Sequence, residues 1–96
     1  MQKRYKIEIL PAAWEDLKKI EDYYLLRFGV ESAMKVTDHI LDSIERLEVF
    51  PDQWLNRKGY RMVICDRFVS IYRWVEDVVY VYHIADTQTD YTKLFS

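Results

Sequence analysis

Residues 57–73 hold Arg57, Lys58, Arg61, Arg67 and Arg73 against Asp66 alone, a local charge of +4 on a chain whose net formal charge is −2. Cations gathered in this way attract an anion that the protein as a whole would not. Arg57 and Lys58 precede the next strand in a loop, so their replacement is expected to weaken anion binding without touching the fold. Two histidines bring groups that titrate near neutrality. His83 lies in a strand-like segment, where it either takes part in proton transfer or fills space with its ring hydrogen-bonded. His39, beside Ile40, reads as structural. Trp54, Tyr72 and Trp74 offer flat faces that stack on a nucleobase or cover a core. Cys65 reads as a small buried apolar residue.

The remaining charge has the opposite sign. Residues 12–50 sum to −4 and residues 74–96 to −3. A sequence pI near 5.6 argues against nucleic-acid binding over the whole surface, for which a domain pI above about 9 is usual. Ninety-six residues set one domain, 1–96, as the expectation, since half that length sustains a core poorly. Half the residues are apolar and only two are Gly and two Pro, which excludes a disordered or linker-rich chain. One cysteine makes no internal disulfide, a usage that fits a reducing compartment. No apolar run approaches the roughly 18 residues of a membrane span, and the first residues lack the apolar core of a signal peptide. A cytoplasmic protein is expected.

The elements that position these residues follow from periodicity. Residues 5–9 alternate apolar and charged, as a half-buried strand does, and Pro11 ends that strand and opens a helix. Ala13, Leu17, Ile20, Tyr24 and Phe28 form its apolar stripe, and Gly29 ends it. A second stripe of Ala33, Val36, Ile40, Ile44 and Leu47 predicts a helix over 31–50, closed by Pro51. The pair reads as an antiparallel helical hairpin. Strand formers then crowd residues 60–85, and breaks at Asp66-Arg67 and Glu76-Asp77 divide them into strands 60–65, 68–75 and 78–85. The fold class is therefore α+β: an N-terminal strand, a helical hairpin and a three-strand antiparallel meander. Two-residue turns place Cys65 opposite Phe68 and Val75 opposite Val78. Met62, Ile64, Val69, Ile71, Val75, Tyr80, Tyr82 and Ile84 then share the face expected to cover the helices. Arg61, Val63, Ser70, Tyr72, Trp74, Val79, Val81 and His83 share the other, which has the mixed character of a binding surface.

This order meets a recognisable text. Residues 5–13, Asp16-Leu17, Ile20, Leu47, Pro51, Gly59-Tyr60-Arg61, Tyr72-Arg73, His83-Ile84 and Asp90-Tyr91 together resemble the RelE/ParE superfamily of bacterial toxins over essentially the whole chain. The resemblance implies the toxin half of a type II toxin–antitoxin pair, with a small antitoxin as partner. RelE-like members cleave mRNA in the ribosomal A site, and ParE-like members poison DNA gyrase by a protein contact. Cleavage through the RNA's own 2′-hydroxyl needs a base, cations for the pentacoordinate phosphate and an acid, with no metal and no cofactor. On that reading Arg61 holds the phosphate bidentately, His83 or Tyr91 serves proton transfer, and Arg57, Lys58 and Tyr72 contact RNA. The expected activity is cleavage of ribosome-bound mRNA; the alternative is a non-catalytic gyrase inhibitor or an inactive scaffold. RNase members usually carry Arg or Lys before the terminal tyrosine. Here that segment reads Ala85-Asp86-Thr87-Gln88-Thr89-Asp90, so a second phosphate clamp is absent.

Overall fold

In the computed structural model, residues 4–51, 54–55 and 59–89 are described. The order is β1 (Lys6–Ile9), α1 (Pro11–Phe28), α2 (Val30–Glu45) with a 3₁₀ turn at Arg46–Glu48, β2 (Trp54–Leu55), β3 (Arg61–Cys65), β4 (Phe68–Val75) and β5 (Val78–Asp86). The expected α+β class is observed, with both helices, the N-terminal strand and the meander in place. Pro11 opens α1, where a missing N–H costs nothing and φ is already helical. Gly29 closes it at φ +96°, and a Cβ there would meet nothing within 4 Å, so glycine is required by backbone conformation rather than by space. Its N–H donates to the Tyr24 and Leu25 carbonyls, and its own carbonyl accepts from Ala33 N–H in the first turn of α2. One residue thus ends one helix and starts the next.

The sheet has five strands in the order β1-β5-β4-β3-β2. The meander is antiparallel with the expected turns, Cys65 opposite Phe68 and Val75 opposite Val78. β1 pairs in parallel with β5, Lys6 opposite Val78 through Ile9 opposite Val81. A parallel pair needs a long connection between its strands, which the hairpin and the rest of the meander supply. The short β2 on the far edge was not expected from the sequence.

The two faces of the sheet are the reverse of the expectation. The core cluster joins Ala13, Leu17, Ile40, Ile44 and Leu47 of the hairpin to Phe68, Tyr72, Val79, Val81 and Ile84, with Val63 and Trp74 packed against it. The mixed set therefore covers the helices. Period-two alternation separates two faces but does not say which is inward when both carry large apolar residues. Polar tips do not keep Tyr72 and Trp74 outside, because the Tyr72 hydroxyl donates to the Pro51 carbonyl at 2.6 Å and Trp74 Nε1–H to the Glu76 carbonyl at 2.9 Å. A bulge adds a second correction: Tyr72 pairs with Val81 but Ile71 with His83, leaving Tyr82 as the extra residue. Beyond a bulge the parity changes, so Ile84 turns to the core and His83 leaves the face of Tyr72. In α1 the stripe is buried at Ala13 and Leu17, but Phe28 is 61% exposed.

Candidate functional site

Arg61 opens β3, with its guanidinium 5.3 Å from the centre of the Trp74 ring. Tyr5 meets the same indole edge-on at 5.3 Å. A cation over an indole gains electrostatic attraction and is held in place, so Arg61 is presented from a rigid strand rather than a loop. Arg73, on the opposite face, lies 4.2 Å over the Tyr60 ring, and Tyr60 meets Tyr82 edge-on at 5.8 Å. This cation–aromatic group was not expected from the sequence.

His83 is tied to α1. Its Nδ1 lies 3.0 Å from Asp16 Oδ2, and the same oxygen accepts Ile84 N–H at 3.0 Å. A carboxylate only accepts, so this contact is a hydrogen bond in the His83 forms that carry a proton on Nδ1. β1 ends at Ile9, opposite Val81, and the Leu10 N–H donates to the Val81 carbonyl. From there Asp16 takes over the exposed edge of β5.

Arg61 and His83 do not converge. Arg61 pairs with Tyr72 and His83 with its neighbour Ile71, so the two lie on alternate faces. Their strands are separated by β4, a backbone distance of roughly 10 Å at the usual strand spacing. Tyr72, expected to contact RNA, is 0% exposed; its ring is core and its hydroxyl is bonded to Pro51. Arg57, Lys58 and Tyr91 lie outside the described residues.

The basic stretch is also partly neutralised within the fold. Arg67 Nε–H donates to Asp86 Oδ2 at 2.9 Å and Nη2–H to the same oxygen and to Gln88 Oε1. Burial acts to raise the Asp86 pKa, but hydrogen bonds from Gln88 N–H and from Arg67 outweigh it and hold the carboxyl below its usual range. The hydrogen bond to Asp86 in turn raises the Arg67 pKa.

Further surfaces stand out among the described residues. At the hairpin tip Leu26 is 87%, Val30 63% and Met34 61% exposed, beside Phe28. Between α2 and the β3–β4 turn, a cleft of about 360 Å³ is lined by His39, Asp42, Ser43, Arg46, Ile64, Cys65 and Asp66. His39 Nδ1 is 3.2 Å from Asp66 Oδ2, and donor atoms of His39, Cys65 and Asp66 all lie within 4.8 Å of one another. Burial, followed by the Asp66 charge, raises the Cys65 thiol pKa. Among the described residues no helix is long and apolar enough to cross a membrane.

The fold is similar to that of the chromosomal ParDE toxin–antitoxin system from P. aeruginosa, with a TM-score of 0.76 at 21% identity over 86% of this chain and 96% of that one. It is also similar to the toxin–antitoxin complex RelBE2 from Mycobacterium tuberculosis, with a TM-score of 0.67 at 14% identity over 90% and 94% of the two chains. No curated protein gives a significant match. The family model of the ParE toxin of the type II toxin–antitoxin system parDE matches residues 7–91, a span that includes β1 from its second residue, the helical hairpin and the whole meander, and the chain accordingly belongs to the ParE toxin family.

Proposed function

We propose that this toxin arrests growth by docking on a protein target, DNA gyrase as the resemblance implies for ParE-like members, and that a small cognate antitoxin neutralises it. The observation that carries this reading is the hairpin tip. Leu26, Phe28, Val30 and Met34 are large apolar side chains left in water at one end of the molecule, and an uncovered apolar patch of this kind is characteristic of a protein contact. The separation of Arg61 from His83 supports it, since RNA cleavage needs its phosphate cation and its proton carrier around one phosphate. The antitoxin partner is supported by the family and by the two similar structures, both described as toxin–antitoxin systems.

The test measures both activities on one preparation. Purified protein is expected to inhibit gyrase supercoiling and to leave mRNA intact in a translation extract, with Leu26→Glu plus Met34→Glu abolishing the inhibition. Cleaved mRNA with unchanged supercoiling would overturn the reading in favour of RNA cleavage. In that case Arg61→Ala, His83→Ala and Tyr91→Phe should each reduce cleavage.

A further inference from the structure

We propose that His39, Cys65 and Asp66 form a binding site for a borderline-soft divalent cation of the Zn²⁺ class, joining α2 to the β3–β4 turn. The donors come from two elements. His39 projects from the third turn of α2, while Cys65 ends β3 and Asp66 begins the tight turn into β4. Asp66 holds φ at +55°, a left-handed conformation that aspartate adopts more readily than most residues. That turn sets two consecutive residues against one histidine.

The distances suit a metal. With Zn–N and Zn–O bonds of about 2.0–2.1 Å, a tetrahedral ion separates a nitrogen and an oxygen ligand by about 3.3 Å. His39 Nδ1 and Asp66 Oδ2 are 3.2 Å apart, a separation at which both can bind one ion. Cys65 Sγ lies within 4.8 Å of both, against about 3.6 Å in a closed tetrahedron, so on binding the thiol would release the His39 carbonyl, to which it donates at 3.4 Å, and turn toward the ion. Sulfur, imidazole and carboxylate together select Zn²⁺ and its neighbours over Mg²⁺ or Ca²⁺, which take oxygen ligands. Three protein ligands leave one position open to the cleft, which Asp42, Ser43 and Arg46 also line.

Cobalt(II) is the probe, because its absorption reports thiolate ligation and tetrahedral geometry. The chain has one cysteine, so any thiolate-to-cobalt band belongs to Cys65. Full-length reduced protein titrated with Co²⁺ is expected to develop that band at one equivalent per chain and to lose it when Zn²⁺ is added. Cys65→Ser should abolish it. His39→Gln and Asp66→Asn should each weaken binding by at least about tenfold, the lower end of what even outer partners of metal ligands contribute. Asparagine tolerates the left-handed conformation of Asp66, and far-ultraviolet circular dichroism checks that each variant is folded. Absence of the band in the parent protein, a stoichiometry of one ion per two chains, or unchanged affinity in both His39→Gln and Asp66→Asn would overturn the site.

Discussion

The carboxylate of Asp16 stands where β1 has run out and completes the edge of β5 in its place. It accepts the Ile84 N–H and contacts the His83 ring, each at 3.0 Å. Truncation leaves a partly buried backbone donor without its acceptor, so Asp16→Ala is expected to destabilise the fold by about 1–3 kcal/mol. Asp16→Asn retains one acceptor and should cost less, with urea unfolding giving the difference. If His83 is only held in place, His83→Ala on an Asp16→Ala background should add little, which a double-mutant cycle reads directly. The Asp16-Leu17 pair stands out in the sequence as part of a family pattern, but nothing local says that its partner lies 67 residues away. Cys65, read from the sequence as a small buried apolar residue, is only half-buried, and its thiol pKa is raised by burial and then by Asp66. Because the thiolate is the nucleophile, iodoacetamide should modify Cys65 at pH 7.5 more slowly than an unperturbed cysteine, and Asp66→Asn should speed the reaction in metal-free buffer.

At the scale of elements, local periodicity carried the helices, the meander and both turn positions, because each depends on neighbours within a few residues. What it did not carry were the non-local choices. Which face of β4 meets the hairpin depends on burial, and β4 offers Phe68, Tyr72 and Trp74 on one side and Val69 and Ile71 on the other. The bulge at Tyr82, which decides where His83 points, leaves no compositional mark. The apparent binding face containing Arg61, Tyr72 and His83 dissolved for these two reasons. The turns show a further cost that composition hides. Asp66 and Glu76 both have positive φ, at 55° and 54°, where glycine or asparagine is preferred. Glu76→Asn keeps the backbone carbonyl that accepts Trp74 Nε1–H and is expected to stabilise the protein by up to about 1 kcal/mol in urea unfolding. Gly29→Ala should do the reverse. With open space around the new methyl group, its cost of about 1–2 kcal/mol arises from the backbone alone.

Across the whole molecule, the helical hairpin is acidic, but the basic stretch of residues 57–73 does not form a uniform cationic surface. Arg61 and Arg73 face opposite sides of the sheet, and Arg67 is engaged by Asp86 and Gln88. The segment that replaces the expected basic cluster thus contributes an acidic clamp at the end of β5, which ties the last strand to the turn before β4. Its pH dependence follows from the sign of the shift. Asp86 titrates below its ordinary value of 3.8, so the folded state binds its proton less readily than the unfolded chain does. The stabilisation is therefore complete about one unit above the ordinary value, near pH 5, and is lost as pH falls through the lowered one. Asp86→Asn should make the protein less stable than the parent at pH 7, with the difference unchanged down to about pH 5. On further acidification the urea midpoints of the two proteins should converge as the parent carboxylate takes up its proton. A difference that stayed constant below pH 3 would mean that Asp86 contributes through packing and hydrogen bonding independent of its charge.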